Sequence, residues 1–187
     1  MLSNEPAYSE TYIKLIHRRE IWQTLKNVKL KILRNLQELS RTTYLNSFCK
    51  ILNENDVKAY ISAKYSLENL RAELEDKTTR FLFLTFDNKK IGYMKYNHDS
   101  YKLNNSLDID RIYLSDAYKG RGLGTRLLQK AESIAKNNNK SYLTLGVLML
   151  NKPAVSFYEK NNFSVFGEEN IIIGSNSYVL LHMMKNI

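Results

Sequence analysis

Cysteine, histidine and long apolar runs are all scarce in this chain of 187 residues. Cys49 is the single cysteine, and His17, His98 and His182 lie far apart, without the close spacing of a metal-ligand pair. A disulfide framework and a metal centre are therefore not expected. No stretch approaches the roughly 18 consecutive apolar residues that a membrane-spanning helix needs. We therefore expect a soluble, cytoplasmic protein that has no membrane partner.

Length and composition limit the number of domains. The chain is 43% hydrophobic, and a domain of this size buries roughly 70% of the surface that its unfolded chain exposes. No repeat or low-complexity linker divides it. We expect a single domain over residues 1–187, in which residues 1–11 are disordered or loosely packed.

Acidic residues are outnumbered, with 19 Asp and Glu against 28 Lys and Arg, which gives a net charge of +9. This balance favours a polyanionic partner such as nucleic acid, anionic lipid or a phosphorylated cofactor. Eight of the basic residues fall between positions 11 and 41, interleaved with apolar residues three or four apart from Ile21 to Leu39. The pattern predicts an amphipathic helix with a solvated basic face. Nucleic-acid contact stays open as the alternative, but no RNA-binding or helix-turn-helix motif supports it, so no nucleic-acid partner is expected.

The N-terminal part predicts one strand and several helices. The segment "TYIKLIH" alternates like a strand, and a long helix is predicted from about Arg19 into the forties. An alternative places the first strand at "VKLKIL", Val28 to Leu33. Two shorter helices are predicted around "NDVKAYISA" and "SLENLRAELED", the second capped by Ser66.

The rest of the chain alternates between strands and helices. The run "RFLFLTF", "DNKK", "IGYMKYN" predicts a β-hairpin, and the strand "LDIDRIYL" follows. After a glycine-rich loop come a helix to about Asn138, the strand "SYLTLGVL" and a helix from Asn151 to about Asn161. The segments "FSVFGEENIIIG" and "YVLLHMM" predict the last two strands. This order indicates an α+β fold with one central sheet flanked by helices.

Glycine is also scarce, yet three of the seven glycines lie within five residues of one another in "YKGRGLGTRLL", residues 118–128. Alternate glycines allow successive backbone N–H groups to face a phosphate at the start of a helix. The spacing fits neither the P-loop nor the dinucleotide-binding loop. A loop that served only as a tight turn would need one glycine rather than three. With Lys119, Arg121 and Arg126 nearby, the segment predicts a phosphate-binding loop.

Two motifs carry a family resemblance. The segment "LDIDRIYLSDAYKGRGLGTRLLQKAESIA" resembles the acetyl-coenzyme A binding core of the GNAT superfamily of N-acetyltransferases. Lys119, Gly122 and Gly124 fill its signature [Q/R]-x-x-G-x-[G/A], with Lys in place of the usual Gln or Arg. The segment "NKPAVSFYEKNNF" is similar to the family's N-x-x-A-x-x-F-Y-x-K-x-G-F. Asn162 stands where Gly is usual, and Asn tolerates the left-handed conformation that this helix end requires.

Within the superfamily, the chain most resembles bacterial spermidine/spermine N-acetyltransferases. Segments such as "LQELSRTTYLNSF" and "FDNKKIGYMKYN" are similar to theirs in kind and order. The likeness weakens at "GSNSYVLL", where those enzymes carry an acidic, glutamine-containing turn.

The resemblance implies a GNAT-like α+β fold, with a single central mixed, mostly antiparallel sheet that is flanked by helices and splayed between its fourth and fifth strands. It implies an N-acetyltransferase that moves the acetyl group of acetyl-CoA to a primary amine of a small molecule, and a polyamine is the best single candidate. An antibiotic, an amino acid or a protein N-terminus remains an alternative acceptor. A non-catalytic acyl-CoA-binding module is the alternative outside enzymes, and a homodimer is left open.

The resemblance also implies where acetyl-CoA binds. The phosphates are expected on the glycine loop, and the pantetheine arm along the fourth strand. The residues expected to bind it are Ile112, Tyr113, Leu114, Lys119, Gly120, Arg121, Gly122, Leu123, Gly124, Thr125, Asn151, Tyr158 and Lys160.

Two residues are expected to move protons. The family's matching tyrosine makes Tyr158 the general acid for the leaving thiolate, and a packed aromatic is the alternative. Asp108 stands at the offset before Lys119 where several family members carry their general base. Asp110 projects from the same face, and either carboxylate could act through a water or anchor a cationic substrate instead. For Asn151, a helix N-cap and a cofactor contact are compatible roles.

Overall fold

The computed structural model describes residues 23–24, 30–100 and 102–187. In this part of the chain, one seven-stranded sheet has the order β1-β2-β3-β4-β5-β7-β6. The strands are β1 (Gln23–Thr24), β2 (Thr79–Phe86), β3 (Lys89–Asn97), β4 (Ser106–Leu114), β5 (Tyr142–Leu148), β6 (Ser164–Ile173) and β7 (Asn176–Asn186). The helices are α1 (Leu30–Phe48), α2 (Glu54–Lys64), α3 (Leu67–Glu75), α4 (Leu123–Asn137) and α5 (Lys152–Lys160).

Neighbouring strands pair antiparallel, except that β4 and β5 pair in parallel. Helices cover both faces, because each face carries its own apolar cluster. Leu33 and Leu36 of α1 pack with Phe83 on one face, and Leu127 of α4 packs with Ile109 on the other. The expected mixed, mostly antiparallel sheet flanked by helices is confirmed. None of the helices in the described ranges is long and apolar enough to cross a membrane.

Local signals explain several boundaries. Ser66 caps α3 by accepting a hydrogen bond from the Asn69 backbone N–H at 3.1 Å. Asp87 and Asn88 join β2 to β3 with φ angles of 45° and 60°, as in the hairpin turns whose twist matches that of the strands. Asn162 has a φ of 67°, which confirms that it adopts the left-handed conformation expected after α5.

The prediction for the N-terminal helix is wrong at its start. Gln23 and Thr24 form β1, paired with Phe83 and Leu82 at the edge of β2. The alternative strand at 28–33 is also wrong, because residues 30–33 lie in α1. The apolar pattern from Ile21 to Leu39 predicted a helix through these residues. It carries no information about the edge of β2, whose backbone groups pair with Gln23 and Thr24 instead. The segment "TYIKLIH" and residues 1–11 lie outside the described residues.

The two central strands separate partway along their length. β4 and β5 pair only from Ser106–Tyr142 to Ile109–Leu145. On the β3 side, Tyr96 pairs with Ile109 and Lys95 with Arg111, so Asp110 is the extra residue of a β-bulge. A bulge bends its strand and increases its twist. From residue 110 onward β4 pairs only with β3, which confirms the splay expected between the fourth and fifth strands and opens a cleft there.

In the segment "GSNSY", where the likeness to polyamine acetyltransferases weakens, Gly174 and Ser175 form the turn between β6 and β7 and Asn176 begins β7. Asp56 of α2 accepts hydrogen bonds there from the Ser175 backbone N–H at 3.0 Å, from Asn176 Nδ2 at 2.6 Å and from Tyr178 Oη at 3.0 Å. These hydrogen bonds lower the pKa of the Asp56 carboxyl, and the bond from the Ser175 N–H has the largest effect. Gly174 turns with a φ of 61°, and a Cβ there would collide with Asp56. The turn therefore anchors α2 beside the cleft.

Candidate active site

The cleft between the splayed strands has a volume of about 1020 Å³. The β4 edge, the glycine loop, α5 and residues of α1 and α2 line it. Of the residues expected at the site, the lining brings together Asp108, Ile112, Tyr113, Leu114, Lys119, Gly120, Gly122, Gly124, Thr125, Asn151 and Tyr158.

Three expected residues do not line the cleft. Arg121 is exposed, and its guanidinium lies over the Tyr118 ring, 5.4 Å from the centroid. Leu123 is 2% exposed and packs with Leu84 beneath the loop. Lys160 is exposed in the last turn of α5. Their expected contacts with the cofactor therefore remain predictions.

The glycine loop presents backbone donors to the cleft. Gly120 and Gly122 have φ angles of 72° and 74°, which favour glycine, and a Cβ at either position would meet no atom within 4 Å. Gly122 caps α4, and the Arg126 N–H makes the first helical bond, to the Gly122 carbonyl at 3.1 Å. The amides of residues 123–125 therefore have no helical acceptor. Such a helix start attracts a phosphate through its N–H groups and its positive dipole.

Gly124 has a packing role that the sequence did not indicate. A Cβ at this position would lie 3.0 Å from Phe157 Cζ. The glycine therefore allows the start of α4 to approach α5.

The Lys119 side chain is held beside the loop by an acid. Its Nζ lies 2.6 Å from Asp116 Oδ1, and this hydrogen bond lowers the pKa of Asp116. Asp116 Oδ2 also accepts a hydrogen bond from Asn46 Nδ2 of α1, at 2.8 Å. The contact leaves the backbone amides of the loop as the donors best placed for a phosphate.

Asn151 caps α5, because its side chain accepts a hydrogen bond from the Ala154 backbone N–H at 3.3 Å. It also lines the cleft. The cap therefore does not exclude a contact with the cofactor, and the two roles remain compatible.

Tyr158 lies two helical turns beyond Asn151 and lines the cleft. Its ring packs against Phe157 and Phe163, with centroid distances of 5.2 and 5.7 Å. Burial raises the pKa of its phenol to about 12. Among the described residues the hydroxyl has no hydrogen-bond partner. It therefore keeps its proton at neutral pH and can donate it into the cleft.

The two candidate carboxylates lie in different environments. Asp108 accepts hydrogen bonds from Thr144 Oγ1 at 3.0 Å and from Asn97 Nδ2 at 3.3 Å. Burial raises its pKa more than these bonds lower it, so the net shift is upward. Burial also acts upward on the pKa of Asp110, but the charges of Arg111 and Lys95 lower it overall. Asp108 is therefore the stronger base.

Asp110 is at the exposed end of an ionic network whose two cations, Lys95 and Arg111, are buried. Lys95 Nζ lies 2.5 Å from Asp110 Oδ2 and 3.2 Å from Glu73 Oε1. Glu73 of α3 also holds Arg111 through two parallel hydrogen bonds of 2.7 and 2.8 Å. Sequence reasoning missed Lys95, Glu73 and Arg111, because the pairing of β3 with β4 and the packing of α3 bring these distant positions together.

The cleft also has an aromatic wall that the sequence did not indicate. Tyr44 and Phe48 of α1, Tyr60 of α2 and Tyr113 of β4 line it. The rings of Tyr44 and Tyr60 stack with centroids 4.5 Å apart. Aromatic faces of this kind attract cations.

A second group of missed residues is polar. Lys102 Nζ lies 2.7 Å from His182 Nδ1 and 3.4 Å from Glu169 Oε1. Burial lowers the pKa of His182, and the Lys102 charge adds to this effect. The imidazole is therefore neutral at pH 7 and can accept a hydrogen bond from the lysine. In the part of the chain that the structure describes, no group of three or more His, Cys, Asp or Glu side chains could hold a metal ion.

Comparison with known proteins identifies the family. The model of the acetyltransferase (GNAT) family matches residues 45–163, which include most of the cleft lining, the glycine loop and Tyr158. The chain belongs to this family. As a GNAT N-acetyltransferase, the protein uses acetyl-CoA and transfers its acetyl group to an acceptor substrate.

Individual relatives share most of the chain. An uncharacterised N-acetyltransferase from the pepI 3' region of Lactobacillus delbrueckii subsp. lactis is 31% identical over 73% of this chain and 81% of its own. A spermidine N(1)-acetyltransferase of Thermoplasma acidophilum is 28% identical over 75% of this chain and 88% of its own. The crystal structure of PaiA N-acetyltransferase from Thermoplasma acidophilum in complex with coenzyme A superposes with a TM-score of 0.70. It is 27% identical and covers 89% of this chain and 99% of its own.

Proposed function

We propose that this GNAT enzyme acetylates a primary amine of a small molecule, with Asp108 as general base and Tyr158 as general acid. The observation that carries the proposal is that one cleft is lined by the glycine loop, by a carboxylate with a raised pKa and by a phenol that stays protonated at neutral pH. An anion site, a base and an acid are what acetyl transfer from a thioester to an ammonium requires.

The described residues fit acetyl-CoA. The amides of residues 123–125 and the open space at Gly120 and Gly122 suit its phosphates. The edge of β4 from residue 110 to 114 is unpaired on the cleft side, so its backbone groups are available to the pantetheine amides. When bound, acetyl-CoA supplies the activated acetyl group.

The proton transfers follow from the two environments. Asp108 accepts a proton from the acceptor ammonium, directly or through a water, and its raised pKa makes it a better base than an exposed aspartate. The amine nitrogen then bonds to the acetyl carbon, and the carbon–sulfur bond breaks. Tyr158 donates its proton to the departing sulfur, whose thiol has an ordinary pKa of about 8.5. The nitrogen releases its second proton as the amide forms, and this proton restores the Tyr158 phenol.

Among amines, a polyamine is the acceptor best supported. Asp108 and Glu169 place carboxylates in the cleft, and the aromatic wall suits a cation with an apolar stem. A relative that is 28% identical is a spermidine N(1)-acetyltransferase. The net charge of +9 opposes approach of a trication at long range. Turnover of spermidine should therefore rise with salt at low ionic strength.

The test compares spermine, spermidine, an aminoglycoside, an amino acid and a peptide N-terminus at one acetyl-CoA concentration. Release of coenzyme A and the mass of the acetylated product are both measured. We expect spermidine or spermine to be acetylated fastest. If only another class of amine is acetylated, the polyamine is refuted as the acceptor, while the proposal of acetyl transfer to an amine stands. Acetyl-CoA binding with no amine-dependent cleavage would instead indicate a non-catalytic module.

A further inference from the structure

The acceptor side of the cleft contains a cation that belongs to the protein. Lys102, from the loop between β3 and β4, lines the cleft with 17% of its side chain exposed. Its ammonium contacts His182 Nδ1 at 2.7 Å and Glu169 Oε1 at 3.4 Å. A lysine ammonium is strongly hydrated and usually extends into water. Its position in the cleft therefore depends on these polar partners.

The charge of Lys102 acts on the same part of the cleft as Asp108. Burial raises the pKa of Asp108, and the positive charge of Lys102 opposes that rise. Glu169 and Asp108 both line the cleft. A cationic acceptor thus meets acidic charge that Lys102 has already partly neutralised.

We propose that Lys102 is a specificity-determining residue, whose ammonium takes the place beside Glu169 that a second ammonium of the acceptor would occupy. The inference rests on the proposed function, in which the acceptor is an amine. A monoamine has no need of this position, whereas a diamine or triamine has to displace Lys102 from Glu169. Lys102 therefore sets how steeply affinity rises with the charge of the acceptor.

The structure distinguishes Lys102, which is half-buried, from Lys95, which is buried. Lys95 is 9% exposed and has contacts of 2.5 and 3.2 Å to two carboxylates. The contact between Lys102 and Glu169 is longer, and the Glu169 side chain is 42% exposed. Such a partly solvated pair is weak. A substrate ammonium can compete for Glu169, whereas it cannot compete for the partners of Lys95.

The experiment measures binding of n-butylamine, 1,4-diaminobutane and spermidine by calorimetry, with the protein saturated with coenzyme A. Lys102→Met removes the charge and keeps the stem. We expect it to leave the affinity for the monoamine within about twofold and to raise that for spermidine roughly tenfold, because unit charges a few ångströms apart interact strongly in a partly desolvated cleft. Lys102→Arg, which keeps the charge, should match the wild type.

Two further variants test the mechanism. Lys140, which follows α4, does not line the cleft. Its Nζ lies 2.5 Å from Asp99 Oδ1, in the loop that also carries Lys102. Lys140→Met therefore reports loosening of the loop and should leave the amine affinities unchanged. Adding Glu169→Gln to Lys102→Met should cancel the gain, because the carboxylate that attracts the second ammonium is gone.

Equal effects of Lys102→Met on all three amines would overturn the inference, and so would the same gain in Lys140→Met or the absence of amine binding to every variant. Turnover of the same amines is measured separately. If no amine is acetylated, the proposed function fails, while the binding comparison still decides the role of Lys102.

Discussion

Thr144 of β5 donates a hydrogen bond to Asp108 of β4, with 3.0 Å between Oγ1 and Oδ1. The two residues are register partners in the short stretch where β4 and β5 pair, and only the pair Ile109–Leu145 separates them from the point of divergence. The bond therefore fixes the carboxylate at the base of the cleft. It also lowers the pKa of Asp108, against the larger upward effect of burial.

Removing this donor should shift the pH profile of the enzyme. In Thr144→Val, the pKa of Asp108 loses one of the interactions that lower it and rises further. A general base must be deprotonated, so the acidic limb of kcat/KM should move to higher pH. The measurement is kcat/KM for the best amine from pH 4 to pH 9. Thr85→Val is the control, because Thr85 Oγ1 is buried in β2 without a partner among the described residues, and its profile should match the wild type.

Tyr158→Phe should separate binding from catalysis. The phenol can donate a proton but contributes no described hydrogen bond to the fold, so the variant should fold and bind acetyl-CoA as the wild type does. Turnover should fall by on the order of 10²-fold, the usual scale for one general acid. Calorimetry checks that acetyl-CoA binding is unchanged, and stopped-flow kinetics measure the fall in turnover. Tyr142→Phe, at a tyrosine outside the cleft lining, should keep full activity, and unaltered turnover in Tyr158→Phe would return Tyr158 to a packing role.

The glycines of the loop should respond differently to substitution. Gly122→Ala puts a Cβ on a residue with a φ of 74°, where the left-handed conformation costs about 1–2 kcal/mol. If the loop relaxes in the free protein, binding has to restore it, so affinity for acetyl-CoA should fall about tenfold or more. Gly124→Val instead presses on Phe157 and should lower the free energy of unfolding by about 1–3 kcal/mol. Calorimetry and urea unfolding separate the effects, and unchanged affinity in Gly122→Ala would contradict the phosphate site.

Asp56→Asn should destabilise the fold in a pH-dependent way. The folded-state pKa of Asp56 is lower than its unfolded value, so its contribution to stability is present at neutral pH and is lost as pH falls through the folded-state pKa. The difference in unfolding midpoint between the variant and the wild type should therefore shrink from pH 7 toward pH 3. Glu54→Gln is the control on the same helix, because its ion pair with Lys58 is exposed. A difference independent of pH would contradict the role of the charge.

The sequence alone determined the parts of this protein that depend on local chemistry. Alternate glycines before an apolar helix predicted the phosphate loop, because only glycine adopts such φ angles at little cost. Periodicity predicted the helices and strands from β2 onward, and cap residues such as Ser66 and Asn151 fixed where helices begin. The resemblance added the splay between β4 and β5.

Only the tertiary structure separates the two candidate carboxylates by their environment. By strand periodicity Asp108 and Asp110 look equivalent, since they are two residues apart on one strand, and only the family resemblance favoured Asp108. Burial acts upward on both pKa values, but the charges of Arg111 and Lys95 lower that of Asp110 overall, while that of Asp108 is raised. The aromatic wall and the contacts of Lys102 likewise join residues far apart in the chain. A sequence pattern carries periodicity and backbone preference, whereas desolvation and charge–charge distance exist only once the chain has folded.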